Sequence, residues 1–333
     1  MSQRIHFAGK PYDLAPGETV LAGLERQGVK LPSFCRTGVC QTCVVRATRG
    51  QPPEASQTGI ADAWVARGCF LACQCVPNTP LEIEPCDMVG TFASRVARVE
   101  RPSARVLRIL LDAPAGFEYR AGQFLQLERD GGISRPYSIA SLPGLEFIEL
   151  HVELIAGGAM SEWLATAEGK PVTVRGPFGE CIYVDGEPER PLLLAGTGTG
   201  LAPLVGVVRS AIAAGHRAPI HLYHGSSSVA GLYLWEELER LVASVSTLRV
   251  FGSVLEAAGT GPALAEVVPD AGARCVVKHE SLDRLLLADP LDFFDCRVYL
   301  CGAPDVVQRL RQRVYLSGAP RRRIHCDLFT PPG

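Results

Sequence analysis

Closely spaced cysteines are the residues of this chain that most clearly predict a chemistry. Cys35, Cys40 and Cys43 lie in one short run, and about thirty residues later three more cysteines follow within seven positions. Three thiolates this close in sequence converge on one point when the chain folds. A C-x4-C-x2-C run with a distant fourth cysteine is the ligand spacing of a [2Fe–2S] cluster. The sequence therefore predicts such a cluster, with Cys69, Cys73 and Cys75 as the candidates for the fourth ligand, which spacing alone leaves close to equal.

Zinc and disulfides are the alternatives for these cysteines. Structural zinc sites usually combine two C-x2-C-type pairs, whereas here Cys35 stands five residues before Cys40. A disulfide framework is disfavoured, because the first ten residues contain no apolar leader and the chain is much longer than disulfide-dependent scaffolds. The other cysteines are scattered, and we expect them to be small apolar core residues: Cys86, Cys181, Cys275, Cys296, Cys301 and Cys326.

The length and composition of the chain are typical of a globular protein with more than one domain. The chain has 333 residues, 47% of them hydrophobic and 20% charged, which is enough for two or three cores. Its net charge of −2 gives no bulk attraction for nucleic acid, so we expect no nucleic-acid partner. Residues 191–208 carry no charge, but their four glycines and two prolines disfavour a membrane span. We therefore expect a cytoplasmic protein without a membrane partner.

Residues 1–88 have the pattern of a small β-rich domain with one helix. Ile5 to Phe7 and the segment after Pro11 predict a hairpin, and residues 19–28 predict a short amphipathic helix with Val20 and Leu24 on one face. Residues 44–48 predict a strand that leaves the cysteine loop. The run Leu-Glu-Ile-Glu at 81–84 alternates apolar and acidic residues, and we expect it to be a last edge strand.

Residues 89–188 predict a small antiparallel barrel. Four segments have strand character, at 105–111, 123–127, 147–154 and 172–175. In 147–154 the apolar residues alternate with Glu149, His151 and Glu153, which predicts one solvated face. Ser134-Arg-Pro-Tyr-Ser138 and the pair Gly157-Gly158, which precedes a predicted helix, lie about twenty residues apart. A guanidinium and exposed backbone N–H groups both suit a phosphate, so together they favour a flavin nucleotide in this barrel.

Residues 189–333 alternate strands with helices. The strand at 192–195 runs into a turn with glycines at 196, 198 and 200 and then into a helix, and further strands are predicted at 220–224, 248–251 and 298–301. Helices are predicted at 233–241 and 306–315. This order favours a doubly wound parallel sheet with a ligand at the carboxyl ends of the strands. The glycine spacing differs from the Rossmann fingerprint, but such a turn can still bring a pyrophosphate to a helix amino terminus.

Taken together, these motifs resemble the ferredoxin–NADP⁺ reductase superfamily along the whole chain. With a ferredoxin-like domain first, their order is similar to that of single-chain reductase components of bacterial ring-hydroxylating dioxygenases and soluble di-iron monooxygenases. The resemblance implies a multidomain α+β, β-barrel and α/β protein: a plant-type ferredoxin (β-grasp) domain at 1–88, an antiparallel FAD-binding barrel at 89–188 and a doubly wound parallel NAD-binding sheet at 189–333. It also implies Cys73 as the fourth cluster ligand, beside Cys35, Cys40 and Cys43.

The resemblance implies roles for the barrel motifs. Arg135 would pair with the flavin phosphates, Tyr137 would pack on the isoalloxazine, and Ser138 would reach its N5 edge. The second glycine motif would hold the FAD pyrophosphate. The residues implied in FAD binding are Arg135, Pro136, Tyr137, Ser138, Gly157, Gly158, Ala159, Met160 and Ser161.

The carboxyl-terminal motifs are implied to bind the nicotinamide nucleotide and to form the hydride-transfer site. Cys301 would lie near the reactive nicotinamide carbon, and Phe329 would stack on the flavin until nicotinamide displaces it. Asp327 stands where the family often has glutamate, and Ser227 stands where relatives often have arginine, which favours NADH over NADPH. The residues implied in binding are Gly196, Thr197, Gly198, Thr199, Gly200, Pro203, Ser227, Cys301, Gly302 and Phe329; those implied in catalysis are Ser138, Cys301, Asp327 and Phe329.

The resemblance implies a converter in which NADH gives two electrons as hydride, FAD releases them singly, and the [2Fe–2S] cluster passes them outward. The expected acceptor is a terminal oxygenase or hydroxylase, or a ferredoxin, and the expected state is a monomer. One alternative is a reductase of flavins, quinones or other small molecules, including a deoxysugar-pathway reductase. Another is a redox sensor without turnover.

Overall fold

The structure, a computed structural model, describes residues 3–33, 35–38, 41–60, 62–86, 90–255 and 274–329. The expected cluster ligand Cys40 lies outside these residues. The chain divides into two compact units, of which the first ends at Thr91 and the second is Phe92–Phe329. In the described part of the chain, no helix is long and apolar enough to cross a membrane.

The first unit contains a five-stranded sheet with the strand order β2-β1-β5-β3-β4. Its helix α1 begins where Thr19 Oγ1 accepts a hydrogen bond from the Ala22 N–H at 3.2 Å, and Val20 and Leu24 are fully buried against the sheet, which confirms the predicted helix. The elements are β1 (Gln3–Phe7), β2 (Lys10–Leu14), α1 (Val20–Arg26), β3 (Val44–Arg49), a 3₁₀ turn (Glu54–Gln57), α2 (Asp62–Val65), β4 (Cys69–Leu71) and β5 (Leu81–Pro85).

Strand β5 lies inside this sheet, so the expectation of an edge strand at 81–84 is wrong. It pairs in parallel with β1 and antiparallel with β3. Leu81 and Ile83 are buried in the core, whereas Glu82 and Glu84 form ion pairs with arginines of β3 on the other face. An inner strand of a sheet with one solvated face alternates in the same way as an edge strand, so the pattern could not separate the two.

The second unit begins with a six-stranded sheet of order β10-β7-β6-β11-β8-β9. An antiparallel bridge between Ile139 and Leu150 joins the end of β9 to β10 and closes the sheet into the predicted barrel. A four-residue helix, α3, lies between β10 and β11 in the chain. The elements are β6 (Gly90–Glu100), β7 (Val106–Asp112), β8 (Phe124–Arg129), β9 (Ile133–Ser138), β10 (Phe147–Glu153), α3 (Ser161–Leu164) and β11 (Pro171–Phe178).

The solvated face predicted for β10 is largely buried. Ile148, Leu150 and Val152 face the barrel core as expected, but Glu149 and His151 on the opposite face are only 5% and 3% exposed. Residues that follow the barrel in the chain cover them, among them Tyr233, which lies just before the helix that begins at Trp235 and whose hydroxyl is 3.0 Å from His151 Nδ1. Alternation identified the strand correctly, but it could not reveal that a second layer packs on the polar face.

The rest of the second unit is the predicted parallel sheet, with order β15-β14-β13-β12-β16-β17. In the described residues its neighbouring strands are parallel, and the strand order reverses direction between β12 and β16. Elements β15, α6 and β17 are additions to the sequence prediction. The elements are β12 (Leu192–Thr197), a 3₁₀ turn (Gly198–Gly200), α4 (Leu201–Ala213), β13 (Ile220–Ser226), a 3₁₀ turn (Val229–Gly231), α5 (Trp235–Ser244), β14 (Leu248–Val254), β15 (Cys275–Lys278), α6 (Leu282–Leu287), β16 (Arg297–Gly302), α7 (Pro304–Leu316), a 3₁₀ turn (Arg321–Arg323) and β17 (Ile324–Leu328).

Candidate functional site

Three of the predicted cluster cysteines converge in the first unit. A hydrogen bond from the Cys43 thiol is the largest of the effects that lower the pKa of Cys73, to about 6, and the Cys35 thiolate is close enough to oppose that shift. The Gly38 backbone N–H also bonds to Cys73 Sγ, and the Thr37 N–H donates to Cys35 Sγ at 3.4 Å. Backbone N–H groups aimed at sulfur are the arrangement that stabilises thiolate ligands of an iron–sulfur cluster.

The two rival fourth ligands have other partners. Cys69 Sγ lies 3.3 Å from Cys86 Sγ, and burial raises its pKa to about 12. Cys75 is fully buried, its pKa is also raised to about 12 by burial, and its side chain bonds to Ser56. Neither of them has Cys43 or Cys35 as its partner in these contacts. The contact with Cys43 favours Cys73 as the fourth ligand, which spacing could not do.

The donor set of this site consists of thiolates. In a [2Fe–2S] cluster each iron takes two protein ligands, so four cysteines are needed. Cys35, Cys43 and Cys73 are three buried cysteines that supply such donors, and the fourth expected ligand, Cys40, lies outside the described residues.

The flavin motif lies on the strand that closes the barrel. Arg135 and Tyr137 are two residues apart on β9 and share one face, and Tyr137 is half-buried against the barrel core, where burial raises the pKa of its phenol. The antiparallel bridge between Ile139 and Leu150 brings the end of β9 beside β10, the strand that precedes residues 157–161. A guanidinium and a backbone loop are together a suitable environment for a diphosphate.

The loop itself differs from the expectation of two exposed glycine N–H groups. The Gly157 N–H donates to Glu162 Oε1 at 2.7 Å, and the Gly158 N–H donates to the Ile155 carbonyl at 2.9 Å. Met160 is buried in the barrel core, so its side chain packs against protein. A pyrophosphate role therefore rests on Arg135 and on the backbone N–H groups of 159–161.

The four residues expected in catalysis meet where the barrel touches the parallel sheet. Ser138, at the end of β9, donates a hydrogen bond to Asp327 Oδ2 at 2.9 Å. Cys301 pairs with Asp327 in the β16–β17 register and with Gly196 in the β12–β16 register. The Phe329 N–H donates to the Gly302 carbonyl at 2.9 Å, which fixes the chain just after β17.

Burial sets the protonation of this cluster of side chains. It raises the pKa of Asp327 to about 6, against the smaller opposing effect of the Ser138 hydrogen bond. Burial also raises the pKa of Cys301 well above its usual value, and Cys181 Sγ lies 3.4 Å from Cys301 Sγ. Cys301 is therefore a neutral thiol, and Asp327 can hold or release a proton near neutral pH.

A cleft of about 500 Å³ opens at the carboxyl ends of the parallel strands, beside the point where the strand order reverses. Thr197, Gly198, Thr199 and Ser227 line it, as a nucleotide site requires. Gly196, Gly200 and Pro203 are buried beneath the lining. A Cβ on Gly200 would lie 2.4 Å from the Cys301 carbonyl oxygen, so glycine there lets the turn approach β16 closely.

The cleft offers hydroxyls and paired cations. Ser226, Ser227 and Ser228 line it together, and the basic residues among the described lining are Arg105 and Arg309. Arg105 is 3.1 Å from Glu153, and Arg309 is 2.8 Å from Asp283. Arg249 is the second residue of β14, at the end of the strand opposite to the cleft-lining Ser253. Its guanidinium is therefore remote from the nucleotide site.

Comparison with known proteins agrees with this geometry. Residues 5–78 match the 2Fe-2S iron-sulfur cluster binding domain, 96–183 the oxidoreductase FAD-binding domain and 194–312 the oxidoreductase NAD-binding domain. The chain is 30% identical over 326 residues to the naphthalene 1,2-dioxygenase system ferredoxin–NAD(P)⁺ reductase component of Pseudomonas putida, with 95% of each chain covered. The chain belongs to this ferredoxin reductase family.

Two further comparisons extend along the whole reductase. It is 30% identical over 351 residues to the aromatic O-demethylase reductase subunit of an Amycolatopsis species, with 99% of each chain covered. It superposes on the crystal structure of an Amycolatopsis cytochrome P450 reductase with a TM-score of 0.66 and 26% identity, again over 99% of each chain. Our boundaries after residues 88 and 188 fall between the matched domains and stay predictions.

The reductase is therefore an oxidoreductase with a [2Fe–2S] cluster, FAD and a nicotinamide nucleotide as its cofactors. Local sequence patterns did not predict a role for several polar residues at the junction of the barrel and the parallel sheet, although His224 is the last residue of a predicted strand and directly precedes a glycine. These residues are Glu149, His151, Arg209, His224 and Tyr233.

Proposed function

We propose that the reductase prefers NADH and delivers its electrons to a terminal oxygenase or hydroxylase, or to a ferredoxin. The observation that carries the nucleotide preference is the serine-rich wall of the cleft at 226–228. Serine hydroxyls bond well to a ribose hydroxyl but bring no charge to a 2′-phosphate. The arginines of the described lining already have carboxylate partners, so a phosphate would have to compete for them.

The proposal gives each site residue a physical task. When bound, FAD accepts two electrons as a hydride and the [2Fe–2S] cluster receives them one at a time. Cys35, Cys40, Cys43 and Cys73 would hold the cluster. Tyr137, Ser138 and Arg135 would hold the isoalloxazine and the phosphates.

At the hydride-transfer site, the Ser138 hydroxyl and the Asp327 carboxyl would share a proton beside the flavin. Cys301, as a neutral thiol, would fill the space beside the nicotinamide without adding charge. Phe329 would cover the flavin face, with its backbone held by Gly302. Glycines at 196, 198 and 200, with Thr197, Thr199 and Ser227, would hold the nucleotide.

The proposed acceptor follows from the relatives. These relatives include reductase components of naphthalene dioxygenase, terephthalate dioxygenase and propane monooxygenase systems. We also propose a monomeric, cytoplasmic enzyme. Reconstitution with the oxygenase encoded nearest to this gene tests the acceptor: NADH-dependent product formation supports it. Fast reduction of free flavin or quinone with no transfer to that oxygenase favours the small-molecule alternative.

Flavin identity and turnover have direct tests. Heat-released flavin should co-elute with FAD, and stoichiometric FMN would contradict the FAD assignment. NADH-dependent reduction of ferricyanide or cytochrome c by the purified, cluster-loaded chain should be rapid. A chain that oxidises no NADH under these conditions fits the sensor alternative and rejects the proposed function.

A further inference from the structure

A buried chain of polar groups connects the flavin-binding barrel to the nucleotide turn. It starts at Glu149 on β10, whose carboxylate lies 3.0 Å from Arg108 Nε and 2.8 Å from Arg209 Nη1. Burial alone would raise the pKa of Glu149, but His151 and the two arginines hold it far below its usual value. Glu149 is therefore a buried, fully paired anion.

The next two members are fixed by hydrogen bonds whose direction follows from chemistry. His151 Nε2 is 2.9 Å from Glu149 Oε1, and a carboxylate only accepts, so Nε2 carries the hydrogen. Burial lowers the pKa of His151, so the ring is neutral and its Nδ1 accepts. Tyr233 is the donor to Nδ1, at 3.0 Å. The charge on Glu149 thus fixes the tautomer of His151 and the position of the Tyr233 ring.

Tyr233 in turn packs edge-on against His224, with ring centroids 5.4 Å apart and an interplanar angle of 90°. His224 is 0% exposed, and burial lowers its pKa to about 4, so it is neutral. Its Nε2 lies 3.3 Å from the carbonyl oxygen of Gly198, and because that oxygen only accepts, Nε2 is the donor. Gly198 lines the nucleotide cleft.

We propose that His224 is a positioning residue for the nicotinamide nucleotide: it holds the Gly198 peptide in place, and Glu149, His151 and Tyr233 hold His224 from the barrel side. The inference rests on the proposed function, since it takes the 196–200 turn as the nucleotide site. In this proposal the network does more than pack: it fixes the 196–200 turn relative to the flavin-binding barrel. Misplacement of reacting groups by about 1 Å can cost on the order of a hundredfold in rate.

One feature of His224 argues for this task. Its Nδ1 is buried with no hydrogen-bond partner among the described residues, and leaving a buried polar atom unpaired destabilises the folded state. An apolar residue at 224 would avoid that cost. A histidine at this position is understandable if the bond from Nε2 to Gly198 is what the site requires.

His216 provides a matched control elsewhere in the same unit. It too is a buried histidine, one of its ring nitrogens has no partner in the described part of the chain, and its ring packs edge-on against Tyr183 with ring centroids 5.7 Å apart. Its Nδ1 lies 3.2 Å from the Tyr183 hydroxyl, and it is not among the cleft-lining residues. The two histidines share burial and packing but differ in contact with the turn.

The test compares His224→Leu, His224→Asn, His224→Gln and His216→Leu in the flavin- and cluster-loaded protein. Glutamine places an amide N–H near the position of Nε2, whereas asparagine is too short to do so. We expect NAD⁺ binding, measured by calorimetry, to weaken about tenfold in the Leu and Asn variants, which matches the loss of one hydrogen bond. The Gln variant and His216→Leu should stay within about twofold of wild type.

Hydrogen–deuterium exchange gives a readout that does not depend on turnover. The amides of residues 196–200 should exchange faster in the Leu and Asn variants and at the wild-type rate in the Gln variant. The proposal would be overturned if His224→Asn and His224→Gln had equal effects on NAD⁺ binding and amide exchange, or if His224→Leu and His216→Leu did. If His224→Leu does not fold, the comparison of His224→Asn with His224→Gln decides. Wild-type protein that binds no NAD⁺ would instead reject the proposed function.

Discussion

The hydroxyl of Ser138 donates a hydrogen bond to the carboxylate of Asp327 at 2.9 Å, across 189 positions of sequence. Ser138 ends a strand of the barrel, and Asp327 lies on the last strand of the parallel sheet. Cys301 neighbours Asp327 on the adjacent strand. The proposed hydride-transfer site is thus built from both sheets of the second unit, and its protonation depends on how deeply their junction is buried.

Replacing Asp327 by asparagine should change how stability depends on pH. The carboxyl has a pKa of about 6 in the folded protein against 3.8 as its ordinary value, so the folded state binds the proton more tightly. The free energy of unfolding therefore falls as pH rises through this window, by about 3 kcal/mol in total and about 1.4 kcal/mol between pH 5 and pH 7.5. Urea unfolding measured at pH 5 and at pH 7.5 should show that the free energy of unfolding of Asp327→Asn rises relative to wild type by about 1.4 kcal/mol between the two pH values.

Glu18 is the control for that measurement. Hydrogen bonds from the Arg26 guanidinium and the Ala15 N–H lower the pKa of its carboxyl to about 2, and no histidine is among these partners. Its stabilising effect is lost only as pH falls below the ordinary carboxyl range, so the difference between Glu18→Gln and wild type should be nearly constant from pH 5 to pH 7.5. A constant difference for Asp327→Asn as well would show that its carboxyl does not titrate near pH 6.

Serine substitutions should identify the fourth cluster ligand. Cys73→Ser should abolish or severely alter the visible absorption of the cluster, because Cys73 is the candidate that contacts Cys43. Cys69→Ser and Cys75→Ser should keep that spectrum nearly intact, since their thiols face Cys86 and Ser56. Iron content and absorption spectra of the three purified variants measure this. Loss of the cluster in Cys75→Ser with retention in Cys73→Ser would reverse the assignment.

Steady-state kinetics should show a preference for NADH. We expect kcat/KM for NADH to exceed that for NADPH at least about tenfold, or about 1.4 kcal/mol. Ser227→Arg should narrow the gap, because it adds a cation to the cleft wall. Ser246→Arg, on the exposed loop before β14, adds the same charge away from the cleft and should change nothing. Equal or better use of NADPH by the unmodified protein would reject the preference.

Gly206→Ala should disturb the contact between helix α4 and the barrel. A Cβ at 206 would lie 2.7 Å from the Gly122 nitrogen and 2.8 Å from the Ile139 carbonyl oxygen, and backbone atoms cannot move aside cheaply. We expect a loss of about 1–3 kcal/mol in stability. Flavin reduction at saturating NADH should also slow, because Ile139 directly follows Ser138.

Ser210→Ala on the same helix is the control for that substitution, since it alters a half-buried position without adding an atom against the barrel. Stopped-flow flavin reduction and urea unfolding of both variants measure the effects. Wild-type rates in a folded Gly206→Ala protein would show that the helix contact does not set the hydride-transfer geometry.

Local patterns in the sequence determined most of the architecture. The spacing of Cys35, Cys40 and Cys43 predicted the cluster, because ligands within one loop need no long-range information. The glycine turn at 196–200 was predicted correctly between a strand and a helix. Period-two alternation found the barrel strands, because a strand with one buried face shows that period wherever it lies.

The tertiary structure decided the features that depend on what packs against a pattern. Leu81 to Glu84 alternate as an edge strand would, yet the strand lies inside the sheet because its backbone pairs with β1 on one side and with β3 on the other. Glu149 and His151 alternate as solvated residues would, yet they are buried, and they contact Arg209 of α4 and Tyr233 of the segment before α5. The Ser138–Asp327 bond follows from neither segment alone. Each of these outcomes is set by partners far away in sequence, and local residue order carries no record of those partners.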